Sequence, residues 1–519
     1  MKWIVKPQMN VDQSGSIFLF AFIRVHLRLI DSDSSTLPEF AAGSNMPPHM
    51  EPVVSGLRTE SRSASRFAGR RVHFIGIGGS GMSGLARMLL DGGAIVSGSE
   101  PNPNKTTFEL TKRGVKISRD QVGELLSKEI DLVVRTAAVP DHNREFTAAK
   151  ALGIKSIKYA EMLGQVMAER FGVAVAGTHG KSTTTAMISY ALLTCGGDPS
   201  FVVGGTVPQL GGGSRSGASN LFVAEACEYD RSYHNLRPRV ALLMNIEEDH
   251  LDCYKDIDDI VQSFRAFCAL VPGDGLIVAN GADENVARVV AGQKARIERV
   301  GLGDGFDWST TPTGIENGCH RGEIRHHGKV AGQLKLSVAG QHNLFNATMA
   351  VAACAACGID PVKAAEAVSG FTGVDRRMTR VGTYNGTTVV DDYGHHPTEI
   401  RATLAALRER YAPKRLWCVF QPHQHSRTRF LLDDFATAFT NADETIVPDI
   451  YFVRDSEAEK QAVSAKDLVD RVNNNGQRAR HVADFKAIVD LLRHEVREGD
   501  LVVTMGAGNV WEIGRDLVG

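Results

Sequence analysis

Gly177-Thr178-His179-Gly180-Lys181-Ser182-Thr183 follows the apolar run Val173 to Ala176 and precedes a helix-compatible stretch, Thr184 to Thr194. Strand, glycine turn and helix, in that order, let backbone N–H groups and a helix N-terminus surround phosphate. In such a turn the Lys181 ammonium reaches the outer phosphates and the Ser182 hydroxyl binds Mg²⁺. Only Thr178 and His179 separate the first glycine from Gly180-Lys181, a shorter loop than the common G-x-x-x-x-G-K-[ST] form. A bare G-K-S is an ordinary loop in many chains; the flanking strand and helix make residues 177–183 a binding turn for a nucleoside triphosphate. ATP is expected as the substrate.

Working outward, Asn220 to Ala226 reads as a strand carrying Glu225 near its end, and Val240 to Asn245 as another, running into Ile246-Glu247-Glu248-Asp249-His250. Ligands gather at strand ends in open parallel sheets, so Glu225 and His250 are placed to share a metal with the phosphate turn. Gly204-Gly205 and Gly211-Gly212-Gly213 predict a loop over a ligand.

Upstream, Val72 to Ile75 is a short buried-type strand, followed by Gly76-Ile77-Gly78-Gly79-Ser80-Gly81-Met82 and a helix through Leu90. Ala94 to Ser97, Asp131 to Arg135 and Ile154 to Ile157 continue the strand–helix alternation of a parallel sheet. The glycines fit G-x-G-x-x-G, a weak signal alone. A nicotinamide reading wants an acid just after the second strand; Glu100 comes only after Gly98-Ser99, so the turn is read as a diphosphate cradle whose ligand need not be NAD.

Downstream, strands are expected at Thr387 to Val390, Leu416 to Phe420, Glu444 to Val447 and Leu501 to Met505, a second doubly wound domain. Asp391-Asp392-Tyr393-Gly394-His395-His396-Pro397 follows the first of these. Gln421 to Arg429, with His423, Arg427 and Arg429, follows the next. The two loops could face each other across one cleft. A metal site of Asp392, His395, His396 and His423 is one reading. An amino-acid pocket, with a guanidinium on the carboxylate and a histidine near the amine, is favoured.

The 519 residues suit about three domains of roughly 100–200 residues each. A net charge of −2 offers no basic face for nucleic acid. The eight cysteines lack disulfide or zinc spacing, which points to a reducing cytoplasm; Cys354 and Cys357 read as small core residues. Ile17 to Ile30 is too short and too charged to span a bilayer. Residues 1–66 are read as a flexible leader or an over-extended start with Met46 or Met50 as initiator. The domains are expected at 67–160, 161–381 and 382–519.

With these regions in order, the chain resembles the Mur ligase family, and its alanine-adding branch in particular, over about residues 70–519. The likeness rests on residues 76–82, residues 177–183, Glu225 to Ser232, Asn245 to Asp252, Gly340-Gln341-His342-Asn343 with Asn346-Ala347, Arg376-Arg377, and Asp391 to Glu399. It implies an α/β fold of three domains: N-terminal Rossmann-like, central P-loop ATPase-type with a mainly parallel sheet, and C-terminal Rossmann-like.

It further implies that Gly78, Gly79, Ser80, Gly81 and Met82 hold the diphosphate of a UDP-sugar, UDP-N-acetylmuramate. Lys181 would bind the ATP outer phosphates, Ser182 and Glu225 one Mg²⁺ (or Mn²⁺), and His250 a second metal or the acyl phosphate. Asn343 and Asn346 would lie by adenine, Arg377 and Asp392 would reach over ATP, and His395 and Arg427 would hold L-alanine. Lys181, Glu225, His250 and Arg377 would be the catalytic set. A cytoplasmic monomer or weak dimer, without stable membrane association, is expected.

Departures from the family pattern are Ser182 for threonine, Gln424 where many relatives have arginine, and Asn509 where aspartate is common. Phe264 stands where some sister ligases carry a carbamylated lysine. The alternatives are a murein-tripeptide recycling ligase, an NAD-dependent oxidoreductase and a catalytically dead nucleotide-binding subunit.

Overall fold

The computed structural model describes residues 65–519; the leader reading and the choice of initiator lie outside the described residues. Three sheets follow one another along the chain. The first is all parallel, ordered Lys116–Ser118, Ile95–Ser99, Arg71–Ile75, Leu132–Arg135, Ser156–Lys158. Strand order reverses at Arg71–Ile75, which opens a crevice above Gly76 to Gly79. Gly98 and Ser99 belong to the second strand rather than to a loop after it. A Cβ at Gly98 would stand 2.7 Å from the Phe74 carbonyl, so the small residue serves close packing. Glu100 therefore follows its strand directly.

The central sheet has ten strands. Its parallel heart is Leu276–Asn280, Val240–Leu243, Phe171–Ala176, Leu221–Glu225 and Ser200–Val202, with Arg296–Leu302 beyond. Every residue of Phe171–Ala176 is buried, as a strand covered on both faces requires. The alanine-rich helix Gln341–Ala356 packs beside the phosphate-turn helix Lys181–Thr194, and its small side chains permit the close approach. Cys354 and Cys357 lie in this core. One edge grows into a meander of Trp308–Glu316, Cys319–His326 and Lys329–Ala339, antiparallel and half solvent-facing.

The third sheet runs Thr379–Tyr384, Thr387–Asp392, Leu501–Met505, Leu416–Phe420, Glu444–Val447, Ala479–His481; only the first pairs antiparallel. Because Thr387–Asp392, Leu501–Met505 and Leu416–Phe420 are neighbours, the loops at their carboxyl ends meet. The architecture is the three-domain α/β arrangement expected from sequence. Among the described residues no helix is long and apolar enough to cross a membrane.

Helix Tyr159–Met167 leads from the first sheet to the second, and its Gly164 packs on the Asn235 carbonyl so closely that a Cβ would collide with it. Gly164→Ala should destabilise the protein by about 1–3 kcal/mol through overpacking, read as a lower Tm. An unchanged Tm would contradict this contact.

Candidate active site

Helix Lys181–Thr194 begins at Gly180, φ +81°, with no side-chain cap on its first N–H groups. In the same domain Asp256, Asp283 and Asp360 cap their helices. The amides of the phosphate turn are thus left open, with the positive end of the helix dipole behind them. A Cβ at Gly180 would come within 2.9 Å of Asn346 Oδ1, so only glycine fits. The turn is braced by Asn245, whose carbonyl accepts from Thr178 N (3.0 Å) and whose Oδ1 accepts from His179 N (2.7 Å).

Lys181 Nζ donates to Gly177 O (2.6 Å), Thr178 O (3.0 Å) and Glu228 Oε1 (2.8 Å). Burial disfavours its charge, yet Glu228 and Glu225 outweigh that and raise its pKa. Lys181, Ser182, Glu225, Glu228 and His250 all line one cavity of about 430 Å³. Glu225 Oε2 accepts from Gly204 N at 2.7 Å, which places the predicted glycine loop at this wall. Glu228 Oε2 and His250 Nδ1 are buried without a hydrogen-bond partner. A hydroxyl with carboxylates, one of them carrying an unsatisfied buried oxygen, fits a hard divalent cation such as Mg²⁺. Glu228 was missed from sequence; its signal is the second acid of Glu225-Ala226-Cys227-Glu228.

A second cavity, about 550 Å³, is lined by Gly180, Ser182, Thr183, Asn343, Asn346, Arg377 and Asp392. Asn346 Nδ2 donates to Asn343 Oδ1 (3.0 Å), and Asn343 Nδ2 to Ala339 O (2.6 Å). Asp392 accepts from the amides of Met378 (2.8 Å) and Gly394 (2.7 Å). Burial pushes its carboxyl up to about 6, against the Arg377 charge. Those amide bonds tie Asp392 to the backbone at Met378 and Gly394, and among the described residues Asp392, His395, His396 and His423 do not cluster as metal ligands.

The third domain clasps the phosphate turn through Asp391 to Glu399. Glu399 Oε1 lies 3.2 Å from Arg377 Nη1 and 3.6 Å from His179 Nδ1, and Oε2 accepts from His395 N at 2.9 Å. His179 Nε2 is 3.6 Å from Glu247, which also accepts from Thr398 Oγ1 at 2.6 Å. His396 Nε2 donates to Glu248 O at 3.2 Å. Burial works against a charged His179, but Glu247 and Glu399 together lift its pKa to about 9.

His395 Nδ1 lies 3.3 Å from the Tyr393 carbonyl. The carbonyl can only accept, so Nδ1 carries the proton and Nε2 is left as an acceptor. Burial holds this ring neutral, its pKa down to about 3. His395 and His423 rings approach to 6.2 Å, so the two loops do share a cleft. Arg427 lines the same cavity, but its Nε and Nη2 both donate to Asp249 Oδ1, at 2.9 and 2.7 Å. Arg429 turns away and pairs with Glu459.

Residues 78–82 line neither cavity. There the Gly78 amide donates to Glu100 Oε2 (3.0 Å), and helix Ser80–Asp91 also starts without a side-chain cap. The Tyr159 ring packs against Gly81.

Three family models match the chain: the Mur ligase family catalytic domain over residues 71–171, the Mur ligase middle domain over 175–354, and the Mur ligase glutamate ligase domain over 376–508. The chain belongs to the Mur ligase family. Among its relatives is the UDP-N-acetylmuramate–L-alanine ligase of Caldanaerobacter subterraneus subsp. tengcongensis, 45% identical over 86% of this chain and 97% of that protein. The enzyme of the same name from Acetivibrio thermocellus is 42% identical over 86% and 95%. Two solved Mur ligase structures are similar. The UDP-N-acetylmuramate–alanine ligase of Thermotoga maritima has a TM-score of 0.69 at 26% identity, covering 86% of this chain and 98% of that one. A murein peptide ligase of Psychrobacter arcticus has a TM-score of 0.63 at 26%, covering 86% and 98%.

The folded pKa of His179 is above its ordinary 6.5, so its stabilisation is complete below about pH 6.5 and is lost as pH rises through about 9. Wild type should exceed His179→Gln in unfolding free energy by more at pH 6 than at pH 9.5, by about 1–3 kcal/mol in urea denaturation. Equal differences at both pH values would remove the cation from this clasp.

Proposed function

We propose that this Mur ligase joins the lactyl carboxylate of UDP-N-acetylmuramate to L-alanine at the expense of ATP, in peptidoglycan precursor synthesis. The observation that carries the reading is that one cavity joins Lys181 and the uncapped helix of the phosphate turn to His395, His423 and Arg427 of the third domain. A phosphoryl donor and an amine acceptor thus have a common chamber. The sequence relatives at 42–45% identity support alanine as the amine. In this reading residues 67–160 take the UDP-sugar at Gly78 to Met82. Residues 161–381 take ATP between residues 177–183 and Asn343, Asn346 and Arg377. Residues 382–519 bring the amino acid.

A carboxylate is a poor electrophile at neutral pH. Transfer of the γ-phosphoryl makes it an acyl phosphate, with the P–O bond to ADP broken and a bond to the carboxylate oxygen formed. Lys181 leaves Glu228 to neutralise charge on the phosphates, and the open amides of the turn orient them. Arg377, facing both cavities, adds a second cation over the transferring group. Ser182 and Glu225, with Glu228 and His250 beside them, would hold Mg²⁺ or Mn²⁺, which supplies charge neutralisation at the outer phosphates. The alanine ammonium docks against neutral His395 Nε2 and, once it has given a proton to solvent, attacks the acyl carbon; the C–N bond forms, the C–O bond to phosphate breaks, and phosphate leaves carrying the second amine proton. Contacts of Thr398, His396 and Arg427 with the central domain keep water from the acyl phosphate. A cytoplasmic monomer or weak dimer suits soluble nucleotide substrates.

Phosphate release by wild type should require UDP-N-acetylmuramate, ATP and L-alanine together with a divalent cation. Turnover of a ready-made tripeptide in place of alanine would favour the recycling ligase instead. Lys181→Ala should lower kcat by about 10³-fold or more, given the charge it neutralises, while calorimetry finds UDP-sugar affinity unchanged. Equal loss of both would contradict this division of labour.

A further inference from the structure

One cation of the reaction cavity has no acidic partner. Arg427 is committed at each of its three nitrogens: Nε and Nη2 donate to Asp249, and Nη1 lies 3.3 Å from His423 Nδ1 and 3.4 Å from its carbonyl. No pair of parallel donors is left on it for an incoming carboxylate. Arg376 holds Asp391 and Arg377 holds Glu399. Gln424, beside His423 in sequence, is uncharged and 1% exposed.

Arg454 lines the same cavity, and among the described residues it pairs with no carboxylate. Its guanidinium carbon lies 4.5 Å from the ring centroid of Tyr229, across from the central domain. Its backbone sits at φ +60°, a left-handed conformation that costs a residue with a Cβ and is tolerated where the surroundings impose it. Those surroundings are explicit. Asp455 accepts from His425 N and Ser426 Oγ at 2.5 and 2.6 Å, Tyr451 N donates to Pro422 O at 2.8 Å, and Gln424 N to Tyr451 O at 3.1 Å. The Tyr451 ring stacks on His423 at 5.4 Å. The segment bearing Arg454 is thus stitched to the loop bearing His423, and the cation is presented at the exposed mouth of the cavity.

We infer that Arg454 receives the carboxylate of the incoming amino acid, while Arg427, fixed by Asp249, is a structural strut between domains. The inference rests on the ligase reading above. It divides the zwitterion between two groups of the third domain: the ammonium goes to His395 Nε2 and the carboxylate to Arg454. A guanidinium lying on an aromatic face is held in place without being neutralised, and so stays available to an anion.

The test is steady-state phosphate release by wild type, Arg454→Ala and Arg454→Lys, with L-alanine and with L-alaninamide, which lacks the carboxylate. Arg454→Ala should raise KM for L-alanine about 10- to 100-fold and erase most of the preference for alanine over alaninamide, with KM for ATP and UDP-sugar unmoved. Arg454→Lys should recover part of both. An Arg454→Ala enzyme with wild-type alanine KM, or with the wild-type preference intact, overturns the assignment while leaving the ligase reading standing. So does a variant in which all three KM values rise together, the mark of a structural role. Wild type that releases no phosphate with alanine overturns the ligase reading and this assignment with it.

Discussion

A single carboxylate, Glu399, ties together the parts on which the site depends. It faces His179 of the phosphate turn, Arg377 at the entry to the third domain, and the amide and ring of His395 in its own loop. Burial alone would protonate it; the surrounding cations hold its pKa well below the usual carboxylate range. An anion kept in a buried place by partners from different domains is stable only while those partners stay assembled. The turn at residues 177–183 and the loop from Asp391 to Glu399 are therefore positioned by one another.

The same logic governs the helix ends. Among the described residues, eight of the sixteen α-helices close their first amides with an Asn, Asp or Ser side chain, as at Asn104, Asn143, Ser464 and Asp484. The helices behind the two glycine turns do not. Leaving a cap off costs about 1 kcal/mol, and it leaves the first amides open to an anion. In the first domain the glycine turn already meets an anion, since Gly78 donates to Glu100. In the central domain Lys181 is held by Glu228. Both glycine sites thus carry internal carboxylates that bind the very groups a phosphate would use.

Much of this was legible in sequence, where local chemistry and local structure coincide. The turn at 177–183 announces itself because glycine, lysine and hydroxyl must be neighbours, and the strands Leu416–Phe420, Glu444–Val447 and Leu501–Met505 because buried parallel strands are continuous apolar runs. The meander from Trp308 to Ala339 gave no such signal. Its strands alternate exposed and buried residues and carry many charged and hydroxyl side chains, so no strand was expected there from sequence. Gly98-Ser99 resembled a turn because small residues mark both turns and tight packing. The pairing of Asp249 with Arg427 spans 178 residues and has no local trace. Arg454 is a lone arginine in a loop, and only the neighbouring cations' commitments single it out.

The clasp between the central and third domains near the site is built of Thr398 with Glu247, His396 with Glu248, and Arg427 with Asp249, polar groups throughout. When such a seam parts, water can resolvate each of these polar groups. Parting it also exposes the buried Arg427–Asp249 pair to water and salt. A small molecule that bridges both halves would owe its residence time to the shut state rather than to its first encounter, which makes dissociation rate the quantity to optimise in inhibitors of this enzyme.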